Sequence, residues 1–199
     1  MQDTETEAQL SLEELIQSLD KAVEGKPGIK PSDAWRYREE VRTKYGLPEC
    51  GYSFEDPLRY IQAIEAFLKE NRVEIRNKHD FSTFFKENPK AEAVSSGPGV
   101  FRNSTVVVGA ASDTDWFGLR TRAKQLSHES VHALQDKRYP EMPIDVAEKE
   151  AFYYQMLTPQ TFLRYKDDPA FLMHFINGVV ETSIKSSVEI DKKISNLPN

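Results

Sequence analysis

The chain has 199 residues, 39% hydrophobic and 29% charged, which allows one domain with a real core and excludes a generally disordered chain. The formal net charge is −6 and the basic residues are scattered, so a nucleic-acid partner is not expected, because phosphate binding needs a concentrated basic face. Cys50 is the single cysteine, so neither an intrachain disulfide nor a multi-cysteine metal site can form, and a reducing compartment fits best.

Met1 to Glu7 is polar and acidic, unlike a secretory or transit signal, and the longest apolar stretch, Phe171 to Val180, is too short for a bilayer, which needs about 20 residues. An intracellular, soluble, cytoplasmic protein with no membrane span is therefore the expectation. Ser11 and Glu14 form a capping box ahead of Leu12, Leu15, Ile16 and Leu19, and Gly25 ends that helix. A second helix is predicted from Asp33 to Tyr45, stopping at Gly46 and Pro48. Asp56 caps a third, with Pro57 in its first turn and Leu58, Ile61, Ile64, Phe67 and Leu68 as its stripe.

The middle of the chain changes character. Val73 to Ile75 alternates like a strand, and a helical turn is expected from Asp80 to Glu87. After a loop at Ser95 to Gly99, Val100 to Arg102 and Thr105 to Val108 read as two strands joined by a hairpin at Asn103-Ser104. A long helix follows, from about Asp113 or Asp115 to Lys137. Pro143 opens another that reaches Leu157, and Thr158-Pro159 and Asp168-Pro169 open two more.

Within the long helix stands His128-Glu129-Ser130-Val131-His132, the HExxH pattern. Residues four apart share a helix face, so the two imidazoles can bind one metal ion together. The adjacent glutamate points to the side of that face, where it can take the proton of an attacking water. Composition alone would produce the pattern on the order of once in a hundred such chains, so its setting matters. Trp116, Leu119, Ala123, Leu126, Ser130 and Leu134 fall on one side of the helix, read as its core face. His128 and His132 fall on the other, with Thr121, Gln125 and Gln135.

A third ligand is available sixteen residues on. Glu148 shares a face with Ile144, Ala151, Phe152 and Gln155, where an unpaired carboxylate would be costly to bury. Glu150, on nearly the opposite face, is the alternative. Two histidines and a carboxylate with an open position are a catalytic zinc arrangement. Thr105 to Gly109 is read as an edge strand beside the cleft, where an extended peptide could dock. Tyr153 and Tyr154 are candidates to donate a hydrogen bond to an oxyanion, though packing roles suit both.

On these residues the chain resembles the zincin metallopeptidases of the glutamate-ligand branch. The segments that carry the likeness are Gly99-Val100-Phe101, Thr105 to Val108, Leu126 to Gln135 and Glu148 to Ala151. The arrangement is similar to the compact domain of the mitochondrial metallopeptidases that process an ATP-synthase subunit, and more faintly to bacterial metallopeptidases that cleave repressors. It spans about residues 95–160. The mitochondrial enzymes carry further cysteines and a longer interval before the glutamate. The resemblance implies one zinc ion per chain held by His128, His132 and Glu148, with Glu129 as general base and a peptide or protein as substrate. It also implies an α+β, zincin-like fold, with a small, mostly antiparallel sheet packed on the HExxH helix and flanking N- and C-terminal helices. The expected organisation is a helical region over 1–72, a catalytic core over 73–165 and a C-terminal helical region over 166–199, within one compact domain. Two other readings use the same residues: a catalytically silent domain that binds without cleaving, and a helical interaction module with no metal.

Overall fold

A computed structural model describes residues 11–48, 56–77, 93–96, 105–108 and 116–195. Helices dominate them. In chain order the elements are α1 (Leu12–Ala22), α2 (Pro31–Tyr45), α3 (Pro57–Glu70), β1 (Glu74–Asn77), β2 (Ala93–Ser96), β3 (Thr105–Val108), α4 (Trp116–Arg138), α5 (Ile144–Met156), α6 (Pro159–Arg164), α7 (Pro169–His174) and α8 (Glu181–Ser195). A wide π-type segment, Phe175–Val180, joins α7 to α8.

Local chemistry sets most of these ends. Ser11 accepts from the Glu14 backbone and Glu14 reaches back to Ser11, closing the expected capping box on α1. The Asp56 side chain accepts from Arg59 N at the start of α3, and Asp168 does the same for α7. Gly46 ends α2 in the left-handed region at φ 69°, which favours glycine, and its chain turns there into Leu47.

The expected sheet is overturned. The described strands form one three-stranded sheet in the order β1-β3-β2, with β1 parallel and β2 antiparallel to β3. Glu74 lies opposite Thr105 in the first pair, and Ala93 opposite Val108 in the second. This is a small mixed sheet in a helical protein rather than a mostly antiparallel sheet backing one helix. Helix packing explains the difference: α4 has α3 on one side and α5 on another, so helices supply most of what surrounds it. β3 is also the central strand, not an edge. Its main-chain groups already pair on both sides, which removes it as a docking edge for an extended peptide. Ser95 and Ser96, read as loop, belong to β2. The Asp80–Glu87 turn and the Asn103-Ser104 hairpin lie outside the described residues, as do His79 and Cys50.

Two apolar clusters share α5. The first joins Val41 and Tyr45 of α2, Ile61, Ile64 and Leu68 of α3, Val106 of β3, and Leu126, Val131 and Leu134 of α4 with Ala151 and Tyr154. The second joins Leu15 and Leu19 of α1, Ala34, Phe162, Leu172, Ile176 and Val180 with Tyr153 and Leu157. α5 is therefore pinned from two sides, and α4 packs along it. The seam between these two helices carries the candidate site.

Candidate metal centre

The middle of α4 is buried around most of its circumference: Gln125, Leu126, Ser127, His128, Glu129, Ser130, Val131, Ala133, Leu134 and Gln135 are all buried. The sequence expectation of one core face and one separate polar face is corrected here. The polar side is covered too, and Trp116, assigned to the core side, is 45% exposed. A helix with neighbours on several sides does not announce them through a single stripe.

His128 and His132 stand one turn apart, with ring centroids 4.7 Å apart and Nε2 atoms 3.1 Å apart. Glu148 of α5 faces both. Its Oε1 is 3.0 Å from His132 Nε2 and its Oε2 is 3.5 Å from His128 Nε2. Ligand atoms of all three residues lie within 4.8 Å of one another, forming a group that could hold a metal ion. Glu148 is only 2% exposed, and its Oε2 is buried with no hydrogen bond of its own. Three lone-pair donors converging in a buried place suit a cation.

The surroundings differ around each ring. His132 Nδ1 is 2.7 Å from Gln135 Oε1, whereas His128 Nδ1 is buried without a hydrogen bond. The Phe152 ring packs against His128 instead, with centroids 4.5 Å apart. Glu129 is buried beside the pair. Burial pushes its carboxyl up, and the two histidine charges only partly oppose this.

Glu150, the alternative third ligand, has other partners. It accepts from Tyr45 Oη at 2.5 Å, Lys44 Nζ at 2.7 Å and Gln135 Nε2 at 2.9 Å. The tyrosine hydroxyls are also engaged elsewhere: Tyr153 donates to Glu181 at 3.4 Å and Tyr154 to the Pro48 carbonyl at 3.2 Å.

Sequence reasoning missed Asp191. The inner row of α8 runs through Ile184 and Val188, and Asp191 follows one turn later. Burial and the adjacent Glu148 carboxylate push the Asp191 carboxyl up to about 7. The signal in the sequence was an acid one turn beyond Ile184 and Val188 on the same helix face. A cavity of about 380 Å³ is lined among others by Lys124 and Ser127 of α4, Phe152 and Gln155 of α5, and Tyr165, and not by His128, His132 or Glu148. It shares the Phe152 ring with His128.

No family model, no curated protein and no solved structure matches this chain. The site therefore stands on its own geometry. Among the described residues, no helix is long and apolar enough to cross a membrane.

Proposed function

We propose that the chain is a zinc-dependent metallopeptidase that hydrolyses peptide bonds with Glu129 as general base. The observation that carries this is the convergence of His128, His132 and Glu148 on one point with a second, separate carboxyl, Glu129, buried beside it. Two imidazoles and one carboxylate are a ligand set suited to zinc that leaves one coordination position open.

Bound there, zinc would supply the Lewis acidity that makes a water nucleophilic near neutral pH. The protein supplies the rest. Glu129 takes a proton from the attacking water and returns it to the leaving nitrogen, which becomes an amine as the C–N bond breaks. A carboxyl raised by burial suits that shuttle, because general-base efficiency improves as the group's pKa approaches the working pH. The cavity lined by Phe152, whose ring packs on His128, is the candidate place for part of a substrate.

A second reading is a metal-binding domain with no hydrolytic step. The near-complete burial of Glu148 favours it, since closed sites are typical of structural zinc. Two measurements decide. Elemental analysis of protein purified without added metal should find about one zinc per chain under both readings. Cleavage of a broad peptide library by the zinc-loaded protein supports the peptidase, and a zinc-loaded protein that cleaves nothing offered supports the silent domain.

A further inference from the structure

We propose that Gln135 is a positioning residue that locks His132 in the tautomer presenting Nε2 to the metal, and that Glu150, gripped by α2, locks Gln135 in turn. The inference rests on reading His132 as a metal ligand. It assigns a task to Glu150, a buried acid of α5 that does not join the metal group.

The amide of Gln135 is buried. A glutamine side chain offers two N–H donors on one atom and an acceptor on the other. Gln135 Nε2 is 2.9 Å from Glu150 Oε2 and 3.2 Å from the Ala147 carbonyl oxygen. Both of those oxygens are acceptors, so turning the amide over would set oxygen against oxygen twice. The amide nitrogen must stay on the α5 side, and Oε1 must face His132 Nδ1, 2.7 Å away. An acceptor at that distance requires a proton on Nδ1. Nε2 is then the atom left to coordinate, and it is the atom that points at His128 Nε2 and Glu148.

Glu150 holds the other end. A buried carboxylate is costly unless its oxygens are satisfied. Lys44 Nζ, Tyr45 Oη and Gln135 Nε2 all donate to Glu150. Two of these donors come from the last turn of α2, so a helix with no part in the metal group sets the angle of one of its ligands. His128 Nδ1 has no hydrogen-bond partner, so this device acts on His132. Outer hydrogen-bond partners of metal-bound histidines typically change metal affinity by roughly 10–100-fold.

The test uses the full chain and two readouts: zinc affinity from chelator competition, and the His132 side-chain Nδ1–H signal in 1H–15N spectra. Gln135→Met keeps the volume and removes the acceptor. It should weaken zinc binding by roughly 10–100-fold and abolish the slowly exchanging Nδ1–H signal. Gln135→Glu alone sets a second carboxylate against Glu150 and should weaken zinc binding as well. Combining Gln135→Glu with Glu150→Gln restores the order of donors and acceptors, because the new amide at 150 donates to the new carboxylate at 135, which accepts from His132. Binding and the Nδ1–H signal should largely return, short of wild type because the Ala147 contact is lost. Tyr45→Phe removes one hydroxyl, is mild enough to keep the fold, and should shift the Nδ1–H signal.

Wild-type zinc affinity in Gln135→Met with an unmoved Nδ1–H signal overturns the proposal. So does a double variant no better than Gln135→Glu alone, or an unchanged signal in Tyr45→Phe. If the wild type binds no zinc, the metal reading fails by itself, and the Nδ1–H signal of the metal-free protein still reports whether Gln135 and Glu150 hold His132.

Discussion

Glu129 and Glu148 are buried beside the same two histidines, yet their carboxyls are driven in opposite directions. For Glu129, burial dominates and raises it. For Glu148, burial alone would do the same, but the close approach and charge of His128 and His132 outweigh it and hold the carboxyl far below the usual range. One carboxylate is thus fixed as an anion facing the imidazoles, and the other is tuned towards carrying a proton. Pairs of titratable groups pushed apart by their surroundings are how acid–base roles are divided within one site.

That division predicts the behaviour of Glu129→Gln. The substitution keeps the shape and removes the basic oxygen. Zinc should remain at about one per chain, while hydrolysis should fall by at least about 100-fold, the usual loss when a general base is removed. Side-by-side peptide-library assays with metal analysis check both halves. Equal cleavage by the variant would mean that another base activates the water.

Glu148 and Glu150 of α5 should separate in metal titrations. Glu148→Gln replaces one of two oxygens that between them face both imidazoles, whereas Glu150→Gln alters a hydrogen bond one residue removed from His132. The second variant should lose no more than roughly 10–100-fold in zinc affinity and the first distinctly more. His128→Ala and His132→Ala should each abolish stoichiometric zinc, since too few protein ligands remain for a tetrahedral site with one open position. A reversed order for Glu148 and Glu150 would move the third ligand to Glu150.

Much of this was legible in the sequence where the signals are local. Capping at Ser11 and Asp56 and the stop at Gly46 depend on residues within one helical turn, and those ends appear where the sequence puts them. The pairing of His128 with His132 follows from the same short-range geometry, and the apolar stripe around Glu148 placed that acid on the right face of α5. What failed was long-range. Strand pairing depends on partners distant in the chain, so Thr105 to Val108 read as an edge when it is the centre of a mixed sheet. Burial of α4 on several sides leaves no single stripe, so the sequence pattern points Trp116 inward and Gln125 outward, the reverse of their exposure. Asp191 lies more than forty residues from Glu148, and no local pattern joins them.

The misread face gives a stability prediction. Leu126 is fully buried in the first apolar cluster, and Leu126→Ala should cost about 2–5 kcal/mol through lost burial and the cavity left behind. Trp116→Ala removes a larger side chain from the same helix, but one that is 45% exposed, so it should cost clearly less. Urea unfolding of both variants decides, and a Trp116→Ala loss equal to that of Leu126→Ala would mean that the start of α4 is covered in solution.

Asp191 gives the pH prediction for the metal-free protein. Burial first, and then the Glu148 charge, push its carboxyl up to about 7, above the unfolded value of about 3.9. The folded state therefore holds this proton more tightly. The stability it contributes is fully present below about pH 4 and is lost as pH rises through about 7. His132 acts in the same direction at higher pH. Burial alone would lower it, but the Glu148 hydrogen bond and charge lift it to about 10, so its contribution is present below about 6.5 and lost as pH rises through about 10. Glu148 acts oppositely, with a contribution present above its unfolded value of about 4.3 and lost on further acidification. The metal-free protein should accordingly be most stable near pH 5 and weaken towards pH 8. Asp191→Asn removes the penalty of ionising beside Glu148, so the variant should exceed wild type in stability at pH 8 and lose that advantage by about pH 4. Zinc should shrink the gain, because a cation at the histidines offsets the Glu148 charge that Asp191 faces. Urea titrations with chelator at pH 4, 5 and 8, repeated with zinc at pH 8, measure all of this. An advantage that does not change between pH 4 and pH 8 would show that Asp191 does not ionise against Glu148 in the folded chain.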